Sequence, residues 1–174
     1  IPGAFYHTKK KTAIVAPIIG PTGDIIGIQE KIHPFDYERR SVNPGKEAKI
    51  FKTSCKFGVI ICYDMVFPKV ANNLAKKGAE VLFSPSRIVN RGIEPWKMYV
   101  QVRSLENRIP ILAANVQNHK FGGNSMIVDL KENNKVFTTK ISRLNKEGSI
   151  SKEFELKKYE SSRKNRFSDS NKFQ

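Results

Sequence analysis

One stretch constrains the fold more than any other. Phe57-Gly58-Val59-Ile60-Ile61-Cys62 holds six residues without a charge and runs straight into Tyr63-Asp64, with Pro68 close behind. A continuous apolar run this short reads as a strand buried on both faces. Asp64 suits a helix cap, and Pro68 suits a first helical turn. Val70, Ala71, Leu74 and Ala75 then supply an apolar stripe at helical spacing, and Gly78 supplies a stop. Val81-Leu82-Phe83 is the next strand, ended by Ser84-Pro85-Ser86. Strand, helix and strand in that order demand an α/β layered domain.

The rest of the chain extends this pattern. Thr12 to Ile19 is β-branched and apolar, and a turn signal over Gly20 to Asp24 joins it to Ile25–Gln29 as a hairpin. The polar stretch 39–49 reads as a surface loop. Glu94 to Asn107 reads as a second helix, in which Trp96 and Tyr99 are expected in the core. Arg103, Glu106 and Asn107 are expected in a structural polar network. Ile109 to Val116 is another buried strand. Ser125–Leu130 and Lys135–Ile141 flank Glu132-Asn133-Asn134 as a second hairpin, and Ile150–Leu156 alternates like an edge strand. The expected domain covers residues 1–158. Residues 159–174 are polar and are expected to be a disordered tail.

Charge is the obvious pointer to a partner. The 174 residues carry 31 Lys plus Arg against 16 Asp plus Glu, a net charge of +15. The excess is +5 over residues 1–60, +7 over 61–145 and +3 over 146–174, so it is spread rather than gathered on one element. Lys outnumbers Arg by 22 to 9, whereas direct base reading favours Arg. The pattern fits a generally basic surface and disfavours nucleic acid. No apolar run approaches the ~18 residues of a membrane span. Two cysteines, Cys55 and Cys62, are too few for a disulfide framework, and scattered His7, His33 and His119 show no metal-ligand spacing. No metal and no cofactor is expected. The chain opens on Ile1-Pro2-Gly3 without a secretory leader pattern, and with free thiols this points to the cytoplasm.

Cys62 is the residue best placed for chemistry. It closes a buried strand just before a helix, where α/β folds carry reactive groups. Helix N–H groups favour a thiolate there. Lys31 follows an apolar strand, and a lysine beside a thiol lowers its pKa and stabilises an oxyanion. Taken singly, a buried cysteine is an inert small hydrophobe and Lys31 is one of 22 lysines.

Together these residues carry a resemblance to the nitrilase, or carbon–nitrogen hydrolase, superfamily. Lys31-Ile32-His33-Pro34-Phe35 is similar to the family's lysine motif K-x-H-L-F, with Pro34 in place of Leu. Gly58 to Pro68 (GVIICYDMVFP) resembles the nucleophile motif G-x-x-I-C-Y-D-x-x-F-P-E, with Lys69 in place of the final Glu. Arg103-Ser104-Leu105-Glu106-Asn107 resembles the R-A-x-E-N helix, and Ala114-Asn115 the strand after it. Gly123-Asn124-Ser125 with Ile127-Val128-Asp129 resembles the G-x-S-x-I-x-D strand opening.

The resemblance implies a four-layer α-β-β-α sandwich that pairs into homo-oligomers. It implies hydrolysis of a linear amide, N-carbamoyl compound or nitrile through a cysteine thioester. Cys62 would be the nucleophile. Lys31 and the backbone N–H of Tyr63 would hold the oxyanion, and Glu38 would orient the substrate. Ser84, Pro85, Ser86 and Arg87 follow a strand end and are candidates for the pocket wall. The family's general base is a glutamate in a βα unit upstream of the lysine motif. Only 30 residues precede Lys31 here, and Glu30 next to it points to the opposite face of a strand. The first strands and helices of the domain are therefore expected to lie outside this chain, which alone would be unstable and inactive. The alternative is a non-catalytic basic α/β module that binds nucleic acid or a protein partner. A glutamine amidotransferase ranks last, because Cys62 lacks the G-x-C-x-G elbow and a well-placed histidine downstream.

Overall fold

Gly23 takes φ 87°, and the Gly20 N–H donates to Asp24 O at 2.8 Å. This tight turn joins β2 (Thr12–Ile19) to β3 (Ile25–Glu30), as the turn residues predict. A strand not foreseen from the sequence, β1 (Phe5–Thr8), pairs antiparallel with β2 and completes a three-stranded sheet in the order β1-β2-β3. The computed structural model describes residues 1–8, 11–170 and 172.

The second sheet has six strands in chain order: β4 (Ile50–Lys52), β5 (Lys56–Val59), β6 (Val81–Ser86), β7 (Ile111–Asn115), β8 (Ser125–Asn133) and β9 (Val136–Leu144). The pairs β5–β6 and β6–β7 are parallel and the others antiparallel. The two parallel crossovers are α1 (Pro68–Lys76) and α2 (Ile93–Asn107). Pro68 sits in the first turn of α1, and Gly78 at φ 94° ends it. Both helices cover one face of this sheet, burying Leu74, Val100, Leu82, Ile111 and Met126 in one core. Each such side chain contributes about 1.5–3 kcal/mol. Close approach depends on Gly58, where an added Cβ would lie 2.7 Å from Leu74.

The three-stranded sheet packs on the opposite face of the larger one. Ile14, Ala16 and Ile18 of β2 meet Phe57 and Val59 of β5, Ile61 and Val81. This stacking of two sheets, with α1 and α2 outside the larger one, supplies three layers of the expected α-β-β-α sandwich. Trp96 is buried in the core and Tyr99 packs against it.

Two expectations fail. The polar segment after Tyr159 is not a disordered tail: α3 spans Glu160–Ser170. Tyr159 is buried, and its hydroxyl donates to Leu130 O. The Arg163 guanidinium donates to Arg108 O at 3.0 and 3.1 Å and to Ala79 O at 3.1 Å. Arg108 caps α2 in the left-handed conformation, so α3 is held by carbonyls that helix ends leave open. Composition misleads here because the docking is polar. Residues 171, 173 and 174 of that tail lie outside the described residues. The second failure is Ile150–Leu156, which forms no strand. Its apolar residues are answered separately: Leu156 packs on the inter-sheet core, and Ile150 lines an apolar groove with Ile127 and Leu144.

Candidate active site

Cys62 begins a 3-10 turn, Cys62–Val66, between the end of β5 and α1, with φ 50°. A non-glycine residue in this region of the map is held there by its surroundings. The turn is anchored on its far side by α2. Arg103 Nε donates to Met65 O at 3.2 Å, and Arg103 Nη2 donates to Val66 O at 2.9 Å. Asn107 donates to Arg103 O, so the R-x-x-E-N stretch is the structural network expected of it.

Lys31 leaves β3 on the other sheet. Its side chain is only 2 % exposed. Its Nζ lies 2.5 Å from Glu38 Oε2, and the same carboxylate oxygen accepts the Phe35 N–H at 2.6 Å. Glu38 is carried by a 3-10 turn, Asp36–Arg40, and is itself buried. The lysine backbone is fixed as well, donating to Ile14 O at 2.8 Å and accepting from the Gly45 N–H at 2.7 Å. The pairing gives the buried ammonium a counter-charge and a hydrogen-bond acceptor.

These groups meet at the Cys62 sulfur. Burial pushes the thiol above its ordinary range. The N–H of Arg87, the Lys31 charge and the N–H of Tyr63 pull it down, while Glu38 pushes it up. The net effect is upward, which favours the protonated thiol. Tyr6 on β1 overlooks the same group: burial first, then Glu38, raise its phenol, and Lys31 and Arg87 oppose them.

Lys31, Glu38 and the Tyr63 N–H thus all lie within reach of the Cys62 thiol. Arg87 joins through its backbone; its guanidinium lies exposed over the Phe121 ring at 4.6 Å. Ser84 and Ser86 are buried and face each other, Oγ to Oγ at 3.3 Å. Ser84 and Pro85 line an apolar groove of about 320 Å³ with Leu112, Ile127 and Leu144, whose walls include neither Cys62 nor Lys31.

Two residues escaped the sequence reading. Asp64 does not cap a helix: its carboxylate accepts the N–H of Ile32 at 3.1 Å, the N–H of His33 at 2.7 Å and His33 Nδ1 at 2.8 Å. His33 stacks on Phe67 with ring centroids 3.7 Å apart. The available signal was the matched spacing Lys31-x-His33 and Cys62-x-Asp64. Among the described residues no group of three or more His, Cys, Asp or Glu is placed to hold a metal, and no helix is long and apolar enough to cross a membrane.

A two-sheet α/β sandwich with its polar groups gathered at strand carboxyl ends defines the class. Residues 6–133 match the carbon-nitrogen hydrolase family, and the chain belongs to it. It is 39 % identical over 98 residues to a probable nitrilase of Schizosaccharomyces pombe, covering 56 % of this chain and 36 % of the relative. It is 32 % identical over 124 residues to omega-amidase NIT2-B of Xenopus laevis, covering 65 % and 42 %. The crystal structure of Saccharomyces cerevisiae Nit3 superposes with a TM-score of 0.69 at 24 % identity, over 83 % of this chain and 59 % of that one. The chain thus spans about two fifths of the length of these two sequence relatives.

Proposed function

We propose that the protein hydrolyses a non-peptide carbon–nitrogen bond of a small molecule through a thioester on Cys62. The observation that carries this reading is the convergence of a buried, charge-paired Lys31 and two backbone N–H groups on one thiol at a strand end. The sulfur attacks the carbonyl or nitrile carbon. The Lys31 ammonium and the Tyr63 N–H stabilise the negative charge that develops on the acceptor atom. For an amide, protonation of the leaving amine releases it and water then cleaves the thioester; for a nitrile, a first water adds to the thioimidate and ammonia leaves, and a second water cleaves the thioester. A linear amide is the substrate class we favour, supported by the amidase and nitrilase names of the relatives; N-carbamoyl compounds and nitriles share the chemistry.

Glu38 already accepts from Lys31 and Phe35, so we assign it to orienting the lysine and the substrate rather than to carrying protons. We assign the general base to a glutamate outside these 174 residues. The upward push of burial on the Cys62 thiol supports a reading that includes such a base. We take the intact enzyme to be a homo-oligomer, and we place it in the cytoplasm, where its free thiols Cys55 and Cys62 stay reduced.

The test is mass-spectrometric. Iodoacetamide, itself a small amide, should modify Cys62 in this chain, and the adduct should vanish in Cys62→Ala. The chain alone should release no ammonia from amides. Ammonia release that depends on Cys62 would show that the base lies within the chain, and a Cys62 inert at every pH would end the reading.

A further inference from the structure

Lys31 and Cys62 belong to different sheets. Lys31 follows β3 of the three-stranded sheet, and Cys62 follows β5 of the six-stranded one. Any chemistry that uses both depends on how the two sheets are registered at this end. Apolar contact between the sheets does not fix that register finely, because it is non-directional. Directional bonds do.

Asp64 makes those bonds. It sits two residues after Cys62 in the same turn, and its carboxylate takes three donors from the two residues that follow Lys31: Ile32 N–H, His33 N–H and His33 Nδ1. Among the described residues these are the hydrogen bonds that join the Cys62 turn to the Lys31–Phe35 segment. The His33 ring, pinned between Asp64 and Phe67, closes the same bridge. The Asp64 side chain is 2 % exposed, so the carboxylate is satisfied by protein donors alone. A helix cap would need none of this, and Asp64 caps neither the 3-10 turn nor α1.

We propose that Asp64 is a positioning residue, a strut between the sheets that sets the distance at which the Lys31 ammonium acts on the Cys62 thiol. This rests on the reading of Lys31 and Cys62 given above. The carboxylate moves no proton and touches no substrate; it holds two backbone segments in register. Arg103 secures the other end of the turn from α2, so the turn cannot follow the lysine if the strut is cut.

The experiment is the pH profile of Cys62 alkylation by iodoacetamide in the full chain, with Cys55 read in the same digest. Lys31→Gln removes the charge and keeps a donor for Glu38. It should slow Cys62 at neutral pH by about ten-fold, because the Lys31 charge favours the thiolate. Asp64→Ala should slow Cys62 to a similar degree and move the profile to higher pH. The double variant should be no slower than the slower single, because both remove one interaction. A merely structural role moves the readout the other way: loosening exposes both cysteines and speeds both. Faster Cys62 and Cys55 together in Asp64→Ala overturn the strut, as does an unchanged Cys62 profile or a double variant in which the two effects multiply. Should Asp64→Ala lose its near-ultraviolet dichroism, Asp64→Asn, which keeps one acceptor oxygen, should give an intermediate profile, and an unchanged one overturns the inference. An unchanged profile in Lys31→Gln overturns the role of the lysine itself, and the strut falls with it.

Discussion

The two ends of β5 each carry a cysteine, and they differ in everything except residue type. Cys55 lies in the turn between β4 and β5, at the amino end of the strand; Cys62 lies past the carboxyl end. Burial raises both thiols. At Cys55 the next influence is the Glu80 carboxylate, which raises it further, against a hydrogen bond with Ser54. At Cys62 the next influences are the Arg87 N–H and the Lys31 charge, both of which favour the thiolate. The carboxyl end of the strand opens toward N–H groups of the following turn and toward the second sheet. The amino end opens toward a carboxylate and solvent. The placement of a thiol on the strand, rather than its burial, gives it cationic company. That is the physical content of the rule that α/β sites lie at strand carboxyl ends.

The comparison can be broken at the strand itself. Gly58 sits midway, and a side chain there would push Leu74 and α1 off the sheet. Gly58→Val should cost about 1–3 kcal/mol in a denaturant titration, the usual range for overpacking. It should also disturb Cys62, whose turn leads into α1, far more than Cys55. Equal changes in the alkylation of both thiols would mean that β5 transmits nothing selective to its carboxyl end. Next in size is Lys31→Gln, with its expected ten-fold slowing of Cys62, about 1.4 kcal/mol; Cys55 should not move. Glu38→Gln acts with the opposite sign. Glu38 raises the Cys62 pKa, so its neutral replacement should shift the alkylation profile to lower pH and speed the reaction a few-fold at neutrality. A shift to higher pH would show that its hold on Lys31 outweighs its own charge at the thiol.

How much of this was legible beforehand follows from what kind of contact was involved. The strand–helix–strand core was readable because apolar spacing reports burial directly, as in Phe57–Cys62 and in Val70, Ala71, Leu74 and Ala75. Cys62 and Lys31 stood out through their motifs, and Glu38 through its place between them. What escaped was tertiary and polar. Arg163 looks like one more basic residue in a polar tail until the open carbonyls of Arg108 and Ala79 are brought beside it. Asp64 has the composition of a cap, and only the folded chain places Ile32 and His33 against it. The Ile150–Leu156 alternation was real, yet a sequence does not say whether an apolar side is answered by a strand or by an open groove.

The smallest effect tests the amino end. Glu80 raises the Cys55 pKa and also accepts the Lys56 N–H at 2.7 Å. Glu80→Gln keeps an acceptor for that N–H and removes only the charge. Cys55 should then alkylate about two-fold faster at neutral pH, with Cys62 unchanged, because exposed charges interact weakly. Salt separates the two ends further. The Debye length falls from about 10 Å at 0.1 M to about 3 Å at 1 M, and screening acts on charges that solvent reaches. Raising salt should therefore erase the Glu80 effect at half-exposed Cys55. It should leave most of the Lys31 effect at Cys62, where the ammonium is only 2 % exposed. If salt erased both, the lysine would act on the thiol through solvent, and the carboxyl end of β5 would differ from the amino end only in the sign of its neighbour.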